Sequence, residues 1–267
     1  MQLNEWLTSA SARLSSVGVT SHKLEAQVLA GHVMLVDRTW VLTHPDHEVN
    51  ELALEGVLQR RESGEPLAYI LGYREFFSRR FRVDQSVLIP RQETETLVEA
   101  ALALQGERLR VLDIGTGSGC IAITLKLERP TWEVWATDIS SSALQMAREN
   151  AETLGADITF RHSNLLDQLD GEKFDLIISN PPYIGRDEVI PREVRDYEPD
   201  SALFADEDGL ALYRTLSEQV PNHLLLEGRL ILEIGQTQGD AVSALFPGSW
   251  IIKDLDRNDR VVAWRGP

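Results

Sequence analysis

Arg110-Val111-Leu112-Asp113-Ile114-Gly115-Thr116-Gly117-Ser118-Gly119-Cys120 is the stretch on which the fold turns. A short apolar run leads straight into three glycines set two apart, and helix-forming residues follow. Glycine takes φ > 0 and carries no Cβ, so such a βα turn lets the backbone pass close to a ligand. A turn that needs glycine only for packing is the plain alternative, and the next strand weighs against it. That strand ends at Thr137-Asp138, 25 residues beyond Asp113, where a carboxylate can accept both hydroxyls of a ribose. A dinucleotide fingerprint spaces its glycines G-x-G-x-x-G and seats a pyrophosphate on the following helix. Here the spacing is G-x-G-x-G, and no basic residue follows to meet phosphate. The ligand therefore reads as a nucleoside without a phosphate backbone, with S-adenosylmethionine the leading candidate. Asp113 is available either to orient the loop or to favour the cationic methionyl end.

Outward from this loop the rhythm is strand, helix, strand. Apolar strand cores at 109–114, 133–137, 157–161, 174–179, 229–234, 249–253 and 260–264 alternate with helical stretches at 92–105, 118–128, 140–154 and 208–222. The pattern predicts an α/β fold, a doubly wound sheet of seven strands. Its last two strands, joined by the polar turn Asp256-Arg257-Asn258-Asp259, form an antiparallel hairpin.

The first ~70 residues have a helical period instead. Leu3, Trp6, Leu7, Ala10, Leu14 and Val17 share one helix face, and Gly18 ends that helix. Thr20 or Ser21 caps a second helix carrying Leu24, Val28, Leu29 and Leu35; after a break at Thr43–Asp46 a third carries Leu54, Val57 and Leu58. Arg80–Val83 and Ser86–Ile89 read as the strands of a β-hairpin. The expected division is a helical substrate-recognition domain at 1–75, a hairpin linker at 76–90 and the ligand-binding domain at 91–267.

Two further loops follow strands. His162-Ser163-Asn164-Leu165-Leu166 ends the third, where Asn164 is placed to bond the adenine edge and Leu165 to pack on its face. For Asn164 a plain polar loop explains the residue equally well. Phe174–Ser179 runs into Asn180-Pro181-Pro182-Tyr183, a tetrapeptide that chance would supply in roughly one chain in a thousand of this length. It sits at a strand's carboxyl end, where open α/β sheets bind ligands. The residue types suit a planar, conjugated –NH₂ whose lone pair is delocalised. The Asn180 side-chain oxygen and the Pro181 carbonyl can each accept one N–H, favouring a pyramidal nitrogen and stabilising the charge that builds on it. The two prolines stiffen the loop, and Tyr183 offers a flat face to a planar group.

The totals limit what else the chain can be. Its 267 residues carry a net charge of −16. Residues 1–90 hold 9 Lys/Arg against 11 Asp/Glu, and 91–267 hold 17 against 31, so the excess acid lies in the half with the glycine loop. A nucleic-acid enzyme usually presents a basic face, so no stable nucleic acid binding is expected. No apolar run reaches the ~20 residues of a membrane span, and Met1–Trp6 does not open like a signal peptide. The single cysteine, Cys120, fits a reducing compartment and a cytoplasmic location. The six histidines show no ligand spacing beyond His44 and His47, which bracket a turn, so no metal is expected. Glu233 reads either as a structural strand residue or as a neighbour of the pocket.

With these residues in view the chain resembles the PrmC/HemK family, the release factor glutamine methyltransferases, over essentially its full length. The resemblance rests on Arg60-Arg61 to Gly72, Glu75-Phe76-Phe77, Leu88-Ile89-Pro90-Arg91 with Thr94-Glu95, the glycine loop, and Asn180–Ile184. It continues through Tyr197-Glu198-Pro199 with Ala202-Leu203 and Asn258-Asp259-Arg260. It implies a Rossmann-like class I methyltransferase sheet behind an N-terminal helical bundle. The implied substrate is the glutamine of the Gly-Gly-Gln loop of class-1 peptide chain release factors, methylated on its side-chain nitrogen. It implies cofactor roles for Gly115, Thr116, Gly117, Ser118, Gly119 and Asp138, both cofactor and substrate roles for Asn180, and substrate roles for Pro181, Pro182 and Tyr183. Asn164 stands where relatives commonly have an acidic residue, Leu165 where some have an aromatic, and Gln92-Glu93 replaces a Pro-Asp or Pro-Glu pair. Adenine amino-methyltransferases of DNA and RNA share the Asn180–Tyr183 tetrapeptide and form the rival enzyme class. A non-catalytic translation-factor adaptor is the rival outside enzymes, though it would be free to lose the glycine loop or Asn180, and both are present.

Overall fold

The computed structural model describes residues 1–266, and the last residue of the expected third domain, Pro267, lies outside them. The chain divides into two compact units, one of Met1–Tyr73 with Pro191–Tyr197, the other of Arg74–Ile190 with the chain from Glu198 on.

The first unit contains α1 (Leu3–Ser16), α2 (His22–Met34), α3 (Arg38–Thr43), α4 (Glu51–Glu62) and α5 (Leu67–Leu71). On α1 the expected face holds: Leu3, Trp6, Ala10 and Leu14 are buried, and Gly18 follows with φ +89°. On α2 it does not. Leu24 and Leu35 are exposed, and the buried side is Glu25, Ala26, Leu29, Ala30 and Gly31. The reason is a buried ion pair, Arg61 Nε to Glu25 Oε2 at 2.6 Å, which brings a charged residue inward where hydrophobicity alone would turn it out. Small side chains complete that face; a Cβ at Gly31 would lie 2.8 Å from the Val36 carbonyl oxygen. Arg61 also meets Glu193 at 3.0 Å, from the short helix Arg192–Tyr197. The six-residue α3, capped by Asp37, and the five-residue α5 are too short to show a period and were not expected.

The β-hairpin lies earlier than expected. Its strands are β1 (Tyr73–Phe76) and β2 (Arg79–Arg82), joined by Phe77 and Ser78 at φ +48° and +60°. Two successive left-handed residues make the tight turn that suits strand twist. Arg80–Val83 thus pairs backwards, and Ser86–Ile89 is not a strand. There the Asp84 side chain accepts from Ser86 N, and Ile89 N donates to Glu198 instead of to a neighbouring strand.

The second unit continues with α6 (Thr94–Leu102), β3 (Arg110–Ile114), α7 (Cys120–Glu128), β4 (Glu133–Asp138), α8 (Ser141–Leu154), β5 (Thr159–His162) and β6 (Phe174–Ser179). Two-residue strands β7 (Ile184–Gly185) and β8 (Phe204–Ala205) pair in parallel. Between β7 and β8 in sequence come α9 (Arg192–Tyr197), the helix already met in the first unit, and α10 (Asp200–Leu203); α11 (Asp206–Gly209) follows β8. The chain closes with α12 (Ala211–His223), β9 (Leu224–Glu233), α13 (Gly239–Leu245), β10 (Trp250–Lys253) and β11 (Asp259–Arg265).

Seven strands form one sheet in the order β10-β11-β9-β6-β3-β4-β5, parallel except for the two contacts of β11. Side chains alternate across it. Val111, Leu176, Ile178 and Ile231 pack one face with Leu97, Ile121 and Ile123. Leu112, Ile114, Ile177, Leu230 and Leu232 pack the other with Tyr213, Leu216 and Val220. From β3 the chain steps outward to β4 and β5, then returns to the opposite side of β3 as β6. That reversal opens a crevice at the carboxyl ends of β3 and β6, where doubly wound sheets take ligands.

Candidate active site

The two motifs singled out by sequence follow these two strands. In the loop after β3, Gly115, Gly117 and Gly119 all have left-handed φ, at +71°, +55° and +83°. A Cβ at Gly119 would lie 2.7 Å from Ile123 and 3.2 Å from Ala147, so this glycine also lets α7 and α8 approach. Gly115 N and Thr116 N donate to the Thr137 carbonyl at 2.9 Å each, which ties the loop to β4. Asp113 staples it from below: its Oδ2 accepts from Thr116 Oγ1 at 2.6 Å and from Ala122 N at 3.3 Å. Its Oδ1 is buried without a partner among the described residues, and burial pushes the carboxyl up to about 7. Asp138, at the end of β4, receives Gly117 N on one oxygen at 2.9 Å and Ser140 N on the other at 2.8 Å. Desolvation raises its carboxyl above the usual range while these amides oppose the rise.

A cavity of about 330 Å³ opens over this loop. Of the expected residues, Gly115, Gly117, Asp138, Asn164, Leu165, Asn180, Pro181 and Pro182 line it. Asp113, Thr116, Ser118 and Gly119 do not; Thr116 and Ser118 are buried, and Asn150 Nδ2 holds the Ser118 carbonyl at 2.8 Å. Cys120 is buried with them, its thiol pushed up to about 12, which makes it a poor nucleophile. Asn164 spends an amide N–H within its own turn, on Asp167 Oδ2 at 3.1 Å, and Leu165 turns there with φ +48°.

The catalytic-loop candidates separate. Asn180 and the two prolines face the cavity. The Tyr183 ring packs instead against the apolar cluster that contains Tyr213, Leu230 and Leu232, and burial pushes its hydroxyl up to about 12. Its carbonyl accepts from Gln238 Nε2 at 3.0 Å, so Tyr183 anchors the loop to the start of α13. Beneath the loop, Ser179 Oγ donates to the Ile114 carbonyl at 2.7 Å and joins the ends of β6 and β3.

Thr94, Arg91 and Glu198 had no role in the sequence reading, and Glu233 was open there between a structural place in the strand and one beside the pocket. Asn180 Nδ2 donates to Thr94 Oγ1 at 3.3 Å, from the first residue of α6. Glu233 ends β9 beside the site, fully buried, its carboxyl pushed up to about 7 by desolvation. Glu198 accepts from Arg91 Nη2 at 2.6 Å and from Ile89 N at 3.0 Å, which clamps together two walls of the cavity, Ser86–Leu88 and Pro199–Ala202. Thr94, Arg91 and Glu198 stand in stretches that carried the family resemblance, but only the folded chain shows what they touch.

Comparison with known proteins agrees with this architecture. A model of the PrmC N-terminal domain matches residues 5–72, and one of the methyltransferase small domain matches 92–195. A release factor glutamine methyltransferase of Koribacter versatilis is 40% identical over 279 residues, covering 100% of this chain and 99% of that protein. A bifunctional methyltransferase of Rickettsia bellii is 37% identical over 97% of the chain, which spans only about half (54%) of that longer protein. Among solved structures, a methyltransferase from Pyrococcus furiosus superposes with a TM-score of 0.56 at 17% identity. The match covers 80% of this chain and 98% of that one, a likeness of fold alone.

Proposed function

The chain belongs to the release factor glutamine methyltransferases, and we propose that it works on its substrate in the cavity between the ends of β3 and β6. It transfers a methyl group from S-adenosylmethionine to the side-chain amide nitrogen of a release factor glutamine. The Gly-Gly-Gln loop of class-1 release factors is the proposed target. The observation that carries this reading is that the glycine loop and Asn180–Pro182 line one cavity from neighbouring strands.

The residues present fit the cofactor. A Cβ at Gly115 or Gly117 would meet nothing within 4 Å, so bare backbone faces open space on the cavity side of the loop. The Asp138 carboxylate stands beside Gly117 and retains lone pairs for ribose hydroxyls beyond the two amides it already accepts. Asp113, Thr116, Ser118 and Gly119 hold the loop's shape from beneath. Asn164 and Leu165 are the proposed adenine wall. Bound there, S-adenosylmethionine supplies an electrophilic methyl group on a sulfonium.

Asn180 and Pro181 do the catalytic work on the protein side. A glutamine –NH₂ is a poor nucleophile because its lone pair is shared with the carbonyl. Accepting its two N–H groups, on Asn180 Oδ1 and the Pro181 carbonyl oxygen, favours a pyramidal nitrogen with its lone pair aimed across the cavity. The same two acceptors stabilise the positive charge that develops on nitrogen during transfer. Pro181 and Pro182 keep them in place with little conformational freedom to lose, and Tyr183 secures the loop from its buried side.

The helical unit, expected at 1–75, is the proposed recognition domain for the protein substrate. Its own apolar core and its match to the PrmC N-terminal domain support that role. The net charge of −16 supports a protein over a nucleic acid as partner. No helix of the described residues is long and apolar enough to cross a membrane, and a translation factor as substrate supports a cytoplasmic setting. The test is methyl transfer from labelled S-adenosylmethionine to separate pools of release factor, DNA and RNA. Label is expected on a release factor glutamine; label in nucleic acid with none in release factor would overturn the reading.

A further inference from the structure

A primary amide presents an oxygen on one side and an NH₂ on the other, so Asn180 serves as an acceptor only if its side chain stands one way round. We propose that Thr94 and Glu233 form a buried positioning pair that sets this orientation and keeps Asn180 Oδ1 turned to the substrate. The proposal rests on the reading of Asn180 as the substrate acceptor and deepens it.

The geometry begins with the sheet. β6 and β9 run parallel with Ser179 opposite Leu232, so the next residue on each, Asn180 and Glu233, come to the same end of the sheet side by side. Thr94, 2% exposed, begins α6 there and touches both. It accepts from Asn180 Nδ2 at 3.3 Å, and its hydroxyl is the neighbour that most favours the charged form of the Glu233 carboxyl. A hydroxyl has one hydrogen. When that hydrogen goes to the Glu233 carboxylate, the Thr94 oxygen is left as an acceptor only. The side of the Asn180 amide that faces it must then be the NH₂, which leaves Oδ1 on the far side.

Glu233 has no evident structural reason to be a carboxylate. Its Oε2 is buried without a partner among the described residues, a costly arrangement in an apolar interior. Arg260, on the neighbouring strand β11, is engaged by Asp254 at 3.2 Å. The other charged or titratable groups felt here are Arg91 and Glu93 ahead of α6, Tyr183 in the loop, Tyr213 on α12 and Cys120 on α7. Leu or Gln would fill this corner without the cost of burying a charge; a carboxylate is the group that compels Thr94 to donate towards it.

The device has a pH signature. Burial lifts the Glu233 carboxyl to about 7 against the opposing hydrogen bond of Thr94. Above that value the carboxylate takes the Thr94 hydrogen and Asn180 is locked. Below it the protonated acid donates its own hydrogen to the Thr94 oxygen. The Thr94 hydrogen then turns towards Asn180 and favours the amide oxygen on that side, the wrong way round for the substrate. Methyl transfer should therefore slow as pH falls below about 7.

The test is single-turnover methylation of release factor at saturating S-adenosylmethionine, at pH values on both sides of 7, with cofactor affinity measured by calorimetry. Thr94→Val keeps the shape and removes the hydroxyl. It should lower the rate about tenfold while cofactor affinity and the KM for release factor stay within about twofold, and Thr94→Ser should recover most of the rate. Glu233→Gln should flatten the decline below pH 7. Wild-type rates in Thr94→Val, or equal losses in Thr94→Val and Thr94→Ser, would overturn the pair. If Thr94→Val does not fold, the Glu233→Gln profile decides: flattened, the pair stands; unchanged, it falls. Asn180→Ala run alongside separates the two levels. Wild-type rate in Asn180→Ala removes the functional reading itself, whereas an inactive Asn180→Ala beside a fully active Thr94→Val removes only the positioning pair.

Discussion

The loop after β3 and the loop after β6 end neighbouring strands and face one cavity, yet they are held in opposite ways. The glycine loop is secured by backbone and by its own strand and the adjoining β4: Thr116 to Asp113, Gly117 to Asp138, Gly115 and Thr116 to Thr137. The Asn180 loop is secured by groups from distant parts of the chain, Thr94 on α6 and Gln238 before α13. A cofactor site of the first kind is a standing feature of the strand–turn–helix unit. A loop of the second kind depends on three separate elements docking correctly, and a single side chain, Asn180, is proposed to carry the chemistry. Substitutions in the two loops should therefore fail differently, the first through binding and the second through rate.

The largest effect expected is on the rate side. Asn180→Ala deletes the proposed substrate acceptor, one expected to matter more in the transition state than in the ground state, so kcat should fall on the order of a hundredfold or more, with cofactor affinity changing less. Single-turnover methylation at saturating substrates, on a variant shown to be folded, checks it. A wild-type rate would place the chemistry elsewhere and erase the contrast between the loops.

Next in size is the binding side. Asp138→Ala removes a carboxylate proposed to meet the ribose hydroxyls and also releases Gly117 N. Affinity for S-adenosylmethionine should weaken by ~1.5–3 kcal/mol, the range for hydrogen bonds to a charged group. The maximal rate at saturating cofactor should change far less. Calorimetry returning an unchanged affinity would remove Asp138 from the cofactor site.

The same contrast governs what could be read before folding. The strands of the sheet were legible to within a few residues, because strands covered on both faces are continuous apolar runs. The glycine loop was legible because its glycine spacing is written in consecutive residues and the acid that meets it ends the very next strand. Thr94 was not, because the hydrogen bond that gives it meaning spans 86 residues of chain. Glu198 was not either: its partners Arg91 and Ile89 are 107 and 109 residues away. In the helical unit the face of α2 was misread because Glu25 turns inward to meet Arg61, a pairing that an apolar pattern cannot show. The hairpin was shifted because its turn uses Phe77 and Ser78, without the Asn or Gly that normally marks a left-handed pair.

The smallest effect is expected at Tyr183, where two readings of one residue part company. As a flat face for the substrate amide, the ring would touch the glutamine, and its loss would raise the KM for release factor. The structure offers a different use. Tyr183 is not among the residues lining the cavity; its ring lies against the cluster of Tyr213, Leu230 and Leu232, and its backbone carbonyl takes the Gln238 hydrogen bond. A substitution that keeps apolar bulk while removing the ring therefore separates the two. Tyr183→Leu preserves the carbonyl and an apolar side chain of smaller volume, a large-to-small change expected to cost about 0.5–3 kcal/mol of stability. If the ring only backs the loop, kcat and the KM for release factor should both stay within about threefold of wild type, since ~0.6 kcal/mol corresponds to that ratio. If KM alone rises tenfold or more, the ring reaches the substrate once the complex forms. The loop would then present three groups to the amide, two acceptors and a ring, not two acceptors braced from behind.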